Sequence, residues 1–285
     1  MTSVADVQRA VESLWPAATA EDWDAVGLVA GDPADPVERV LLAVDAVEAT
    51  AAEAVERGAQ LLLVHHPLLL RGATSVAATT PAGRVITRLV RARTALLAAH
   101  TNADAVDRGT SGELARMLGL EGARPIVVNR VDPAKGLGRV GDLPAATTLG
   151  DLARTLAGLL PAVAGGIRVA GDADRAVRRV AICGGAGDSL LREAEVAGAD
   201  AYITSDLRHH PASDARERHA AGEGPALVDV SHWASESLWL RPAADELRAA
   251  LPGVEVLVSD IRTDPWDFAV PQARGEAPQE ERAWH

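Results

Sequence analysis

Short apolar runs alternate with helical stretches along most of this chain, and that alternation restricts it to largely parallel sheets covered by helices. The apolar runs are Arg39 to Val44, Ala59 to Val64, Thr94 to Ala99, Val180 to Cys183, Ala201 to Thr204, Ala226 to Val230 and Val254 to Val258. Helical patterns occupy Glu48 to Arg57, Ala82 to Arg91, Ser111 to Leu118, Leu149 to Leu159, Leu190 to Ala197 and Glu236 to Leu251, with Gly58 and Gly198 placed to close two of them. An opening helix is written in Val4, Val7, Val11 and Leu14, with Ser3 as its cap, Asp6 three residues on and Pro16 at its end.

Two units of this pattern resemble each other. Gly58-Ala59-Gln60 precedes one apolar run and Gly198-Ala199-Asp200 another, and each run leads to a His-His-Pro, at Pro67 and Pro211. Duplication and chance in a chain rich in Ala, Gly and Val explain this equally well. The expected organisation is an α/β fold of two related lobes, residues 1–124 with 229–268 and residues 125–228. The segment Gly122 to Gly141, with Pro125, Pro133, Gly136 and Gly138, reads as the passage between them. Residues 269–285 are poor in apolar side chains and are expected to be a disordered tail.

Charge and composition exclude several functions. A net charge of -12 repels phosphate backbones, so nucleic acid is not an expected partner. The single cysteine, Cys183, forms no intrachain disulfide. The N-terminus carries no secretory signal and no apolar run approaches the roughly 20 residues of a membrane span. A cytoplasmic protein without membrane contact is the expectation.

The chemistry lies where apolar runs end. Val64 leads into His65 and His66, Ala99 into His100, and Val230 through Ser231 into His232. In open α/β sheets ligands collect beyond the carboxyl ends of the strands, so these histidines can share one crevice although far apart in sequence. His100 is followed at i+4 by Asp104 and His232 by Glu236, a spacing that puts both groups on one face of a helical turn. His65 and His66, as neighbours on a strand, are expected to point to opposite sides, so that two ions take one each. Taken singly, a strand-end histidine is more often hydrogen-bonded than a ligand, and a His/carboxylate pair is usually a surface ion pair. Their joint occurrence favours metal. Four imidazoles and two carboxylates suit zinc, manganese, iron or cobalt, whereas magnesium and calcium prefer all-oxygen sites. Six ligands on two ions leave positions for water, and the chemistry read is metal-assisted hydrolysis.

These residues also resemble a known family. Glu21-Asp22-Trp23-Asp24-Ala25-Val26-Gly27-Leu28 with Gly31-Asp32, then His65-His66-Pro67, His100-Thr101-Asn102-Ala103-Asp104, Gly184-Gly185-Ala186-Gly187-Asp188-Ser189, Ala199 through Asp206, and His232 with Glu236 are similar to the motifs of the Nif-three-like dinuclear metal-centre family, also described as GTP cyclohydrolase I type 2 homologues. The resemblance reaches from the start to about Phe268. It implies His65, His66, His100, Asp104, His232 and Glu236 as metal ligands, two divalent transition-metal ions per chain (zinc, iron or manganese), two lobes around a central metal cleft, and a homo-hexamer. Two departures bear on the substrate side: Ser205 stands where the family usually has Gly, and Ser231 where many members have His. The long insert of some members is absent, Arg124 to Gly141 being too short to hold it.

Other residues carry two readings each. The Gly184–Ser189 turn, Gly185 and Gly187 included, could hold a phosphate on its backbone N–H groups or serve as a tight turn. Asp206, His209 and His210 could bind substrate or donate a proton, or could support other groups from behind. Trp23 and Asp24 could hold a base, or be a buried ring and a cap. Asp45 reads equally as support for the site or as a helix N-terminal carboxylate. Cys183 is expected to be inert, and His219 and His285 to be solvated. The function expected is a metal-dependent hydrolase of a small nucleotide-like substrate, with GTP ring opening suggested by the family name. Metal-bound water is its nucleophile, and no side chain is assigned a catalytic role. The alternative is a non-catalytic hexamer that buffers metal or acts as a regulatory binding protein.

Overall fold

A computed structural model describes residues 1–270, so the expected tail lies almost wholly outside the described residues, as does His285. The chain runs α1 (Val4–Leu14), β1 (Gly27–Ala30), β2 (Arg39–Asp45), α2 (Glu48–Glu56), β3 (Leu61–His66), α3 (Pro81–Arg91), β4 (Ala95–Ala98), α4 (Thr101–Ala105) and α5 (Thr110–Met117). It continues through β5 (Glu121–Arg124), β6 (Val127–Val128), β7 (Gly136–Leu137), β8 (Arg139–Thr148), α6 (Leu149–Leu159), β9 (Arg168–Ala170), β10 (Ala176–Ala186), α7 (Ala194–Ala197), β11 (Ala201–Ser205) and α8 (His209–Ala220). It closes with β12 (Ala226–Val230), α9 (His232–Ser237), α10 (Leu240–Ala250) and β13 (Glu255–Val258).

Two helix-covered sheets result, each parallel at its centre and antiparallel at an edge. The first has the order β1-β4-β3-β2-β13 and the second β5-β8-β10-β11-β12-β9. In the first, β4, β3, β2 and β13 are parallel and β1 is antiparallel. In the second, β10, β11 and β12 are parallel.

The central strands are apolar on both faces, and their alternation divides them between two helical layers. Leu42, Val44, Leu61, Leu63 and Leu97 pack with Val4, Val7 and Val11 of α1 and Ala243, Ala244 and Leu247 of α10. Their neighbours Leu41, Ala43, Leu62, Val64 and Leu96 pack with Ala51 and Ala54 of α2 and Val85 and Leu89 of α3. Each fully buried leucine contributes about 1.5–3 kcal/mol. The second sheet repeats the plan, with α5 and α6 on one face and α7 and α8 on the other.

Local chemistry explains the helix starts. Ser3 caps α1 by accepting from Asp6 N–H, while the Asp6 carboxylate accepts from Ser3 N–H at 2.7 Å. Thr80 caps α3 ahead of Pro81, and Thr148 caps α6. No helix among the described residues is long and apolar enough to cross a membrane.

Three expectations change. The Gly122–Gly141 stretch is not simply a passage: β5 pairs with β8 in the second sheet, and β6 and β7 form a small hairpin. Gly138, at φ +63°, turns the chain from β7 into β8, while Gly122, Gly136 and Gly141 lie within β5, β7 and β8. The expected helix at Leu190–Ala197 is broken into a 3-10 turn at Asp188–Leu190 and the short α7. The last helical stretch starts earlier than Glu236, at His232, and is divided into α9 and α10.

Candidate metal centre

Parallel pairing brings the donors together. His65 and His66 are the last residues of β3, and β4 beside it ends just before His100, which opens α4 and places Asp104 one turn on. From the second sheet, β12 ends at Val230. Ser231 then caps α9 by accepting from Ala234 N–H, and α9 presents His232 and Glu236. Strand ends and helix starts thus supply all six groups.

The donor atoms lie close. His66 Nε2 is 2.9 Å from Glu236 Oε2 and 3.1 Å from His232 Nε2, and His232 Nε2 is 3.0 Å from Glu236 Oε1. His65 Nε2 is 3.6 Å from both Glu236 Oε1 and Asp104 Oδ1. One donor atom each from His65, His66 and His100 lie within 4.8 Å of one another, as do those of His66, His232 and Glu236. His66 belongs to both groups. The expectation that His65 and His66 diverge is corrected here: at the strand end their ring centroids are 5.1 Å apart and their nitrogens share one space.

Every imidazole is oriented from behind. Nδ1 donates to the Ala99 carbonyl from His65 at 2.9 Å, to Asp45 from His66 at 2.8 Å, to Asp24 from His100 at 2.8 Å and to Asp206 from His232 at 2.7 Å. A carbonyl or carboxylate only accepts, so Nδ1 holds the proton and Nε2 carries a free lone pair. The His66 and His232 lone pairs face each other, an arrangement that needs a cation or a proton between them. His65 Nε2 is buried and makes no hydrogen bond among the described residues, its nearest carboxylate oxygens standing at 3.6 Å. Such an unpartnered atom costs about 1–3 kcal/mol unless something fills the gap. A borderline divalent metal fits this set, and the carboxylate–imidazole arrangement is the one that fixes metal-binding histidines.

Charge gives the same result. Glu236 is 3% exposed; burial works against its ionisation, but His66, His65 and His232 hold its carboxyl well below the usual range. Burial lowers the His66 and His232 imidazoliums, yet Glu236, with Asp45 for the first and Asp206 for the second, pushes them up to about 10 and about 11. Burial likewise disfavours ionised Asp24, which His100 and Thr101 nevertheless keep well below the carboxylate range. The cluster therefore favours positive charge among its donors, as a cation site requires.

The remaining candidates divide. Gly185 is at the centre: a Cβ there would come within 2.3 Å of Glu236 Oε1 and 3.2 Å of His232 Nε2. Gly187 instead packs under Tyr202 and Thr204, away from the donors. Asp206, at φ +54°, is turned to His232. His209 and His210 are exposed on α8 with their rings against each other, and neither is among the clustered donors. Trp23 is not buried but 58% exposed, edge-on to His100, while Asp24 both orients that histidine and accepts from the Thr101 N–H at the start of α4. Burial pushes the Cys183 thiol up to about 12, consistent with an inert residue.

Sequence reasoning missed the outer supports. Thr110 donates to Asp104, Thr101 to Asp24 and Thr263 to Asp45. Arg139, buried on β8, donates to the Gly136, Gly138, Ala105 and Val106 carbonyls and so ties the second sheet to the end of α4, just past Asp104. No local pattern marks these residues.

Comparison with known proteins follows the same lines. A family model described as Duf34/NIF3 (NGG1p interacting factor 3) matches residues 2–265. A protein of Streptomyces coelicolor named GTP cyclohydrolase 1 type 2 homolog is 48% identical over 279 residues, covering 96% of each chain. Among solved structures, a Bacillus cereus protein related to NIF3 superposes with a TM-score of 0.85 at 22% identity, over 94% of this chain and 99% of that one. A Staphylococcus aureus hypothetical protein gives 0.83 at 28% identity with the same coverage.

Proposed function

The chain belongs to the Duf34/NIF3 (NGG1p interacting factor 3) family, and from that premise we propose that it binds two divalent transition-metal ions, zinc, iron or manganese, and uses them to hydrolyse a small nucleotide-like substrate. His65, His66, His100, Asp104, His232 and Glu236 would hold the metal. The observation that carries this reading is the convergence of imidazole Nε2 atoms on Glu236, with every Nδ1 committed to a fixed acceptor. Two divalent ions in one site supply activation of water and polarisation of the bond to be broken.

The chain's own residues set the conditions for that chemistry. Ala99, Asp45, Asp24 and Asp206 keep the proton on Nδ1 and hold each ring in place, so little reorganisation is needed at the moment of reaction. Gly185 leaves the space in which Glu236 sits. His65 and Glu236 are buried, whereas His66 and His232 are only partly so, and the open side of the cluster is theirs. Substrate therefore reaches the centre past His66 and His232.

Elemental analysis of protein purified without chelator tests the reading, beside a His65→Ala, His232→Ala double variant. Two transition-metal ions per chain, lost in the variant, are expected. A hydrolysis screen of nucleotides, phosphoesters and amides with the retained metal should then give turnover that the variant lacks. Metal-free protein that stays empty after incubation with zinc, manganese or iron would overturn the assignment.

A further inference from the structure

His66 and His232 form part of the wall of a cavity of about 580 Å³, a volume in the range of small-molecule sites. Another part of its wall is built by the segment that follows β13. Thr263 there donates to Asp45 Oδ2, whose other oxygen holds His66 Nδ1. Asp264 accepts from Ser231, the cap of the helix that carries His232 and Glu236. The segment is therefore moored to the groups that position three of the donors. Immediately beyond the mooring, Trp266 and Phe268 line the cavity while 67% and 80% exposed, and Trp233 of α9 lines it too. Large rings left open to water forgo roughly 1.5–3 kcal/mol each. In a chain with one Phe and one Tyr, their placement beside the donors marks a surface for another flat apolar group.

The polar part of the wall restricts what that group can carry. Asp45, Asp206, Asp229 and Asp264 line the cavity, and apart from His66 and His232 at the donors themselves, Arg168 is the one basic side chain among the described residues that do. Arg168 is already paired with Asp229 at 2.8 Å. Beyond the metal centre itself, a phosphate chain on this side would run along carboxylates with no free cation to meet it, and such juxtaposition of like charges is unfavourable. The carboxylates are themselves hydrogen-bonded within the protein: Asp206 to His232, Asp264 to Ser231 and Trp266 N–H, and Asp229 to Leu207 N–H as well as Arg168.

We propose that this cavity is the substrate site and that it takes a planar heteroaromatic ring bearing no polyphosphate, a nucleobase or nucleoside, stacked on Trp266 and Phe268 with its edge toward His66 and His232. The proposal rests on the metal reading for the identity of the reacting edge, while the stacking surface and its charge stand apart from it. It selects nucleosides over nucleoside triphosphates.

Calorimetric titration with guanosine, adenosine, GMP and GTP tests it, on the metal-loaded protein and on Trp266→Ala, Trp266→Phe and Phe268→Ala, with metal content measured in every sample. The expected result is that a nucleoside binds, that GTP binds no tighter than guanosine, that Trp266→Ala weakens the nucleoside about tenfold or more, and that Trp266→Phe stays within about threefold. Metal content should be unchanged in all three variants. Absence of nucleoside binding, GTP binding tenfold tighter than guanosine, or a Trp266→Ala protein that binds the nucleoside as the parent does would overturn the proposal. Failure of the parent protein to take up metal, with nucleoside binding retained, would instead overturn the metal reading and leave the stacking site standing.

Discussion

Asp206 puts the orientation argument in its sharpest form, because it is the most exposed of the carboxylates behind the donors and touches His232 through one hydrogen bond at 2.7 Å. Its left-handed backbone, φ +54°, is a conformation few non-glycine residues adopt, and here it turns the carboxylate toward His232. Replacing it leaves the cores intact but lets the imidazole rotate and change tautomer. Asp206→Ala should therefore lower metal affinity about 10–100-fold, measured by competition with a chromophoric chelator, while the melting temperature of the metal-free protein moves little. Unchanged affinity would remove the positioning role given to Asp206. At this scale the sequence was informative about donors and poor on their supports. The six donors follow strand ends or sit one helical turn away, so periodicity finds them. Asp45 is also a strand end, directly paired with His66 across β2 and β3. Asp24 and Asp206 lie 76 and 26 residues from the histidines they hold, and only the folded chain connects them.

Among the elements, the end of β10 offers a contrast between two glycines two residues apart. An alanine at Gly185 would put its methyl group against Glu236 and His232, at a backbone angle of φ +71°. An alanine at Gly187 would collide with Thr204 Oγ1 and the Tyr202 hydroxyl, each at 2.3 Å, inside the second core. Gly185→Ala should fold yet lose metal, since it displaces two of the six proposed ligands, Glu236 among them. Gly187→Ala should lose about 1–3 kcal/mol of stability in denaturant unfolding while its folded fraction keeps metal. If both variants lose metal and stability together, the end of β10 has no separate role at the donors. Element legibility followed length and period. The helix at Leu149–Leu159 was read to the residue because Leu149, Leu152 and Leu156 repeat on one face below the Thr148 cap. The two-residue β6 and β7 carry no period, and β8 starts inside the stretch read as a passage and contains Gly141, Asp142 and Pro144, residues of low strand propensity, although the strand is held between β5 and β10. Tertiary pairing overrode local propensity there.

For the whole molecule, the donors couple two separately packed sheets. His65, His66, His100 and Asp104 stand at the carboxyl edge of the first sheet, whereas His232 and Glu236 follow β12 of the second. Just after Glu236 the chain returns to the first core, where Trp239, Leu240, Ala243 and Leu247 are buried. Each sheet has its own apolar layers, so metal is not needed for either to form. A cation held by both sides binds the native state and not the unfolded chain, which adds about 2.7 kcal/mol when free metal stands at 100 times its dissociation constant. For a chain of this length each kcal/mol moves the melting temperature by about 2–4 °C. Chelation should therefore lower the melting temperature by roughly 5–10 °C with a single cooperative transition retained. The His65→Ala, His232→Ala variant should melt at one temperature with or without chelator, because the linkage disappears with the ligands. A chelator effect that survives in the variant would place the stabilising metal elsewhere in the molecule. Splitting of the parent's transition on chelation would instead mean that the cation, and not the return of α10 to the first core, joins the two sheets.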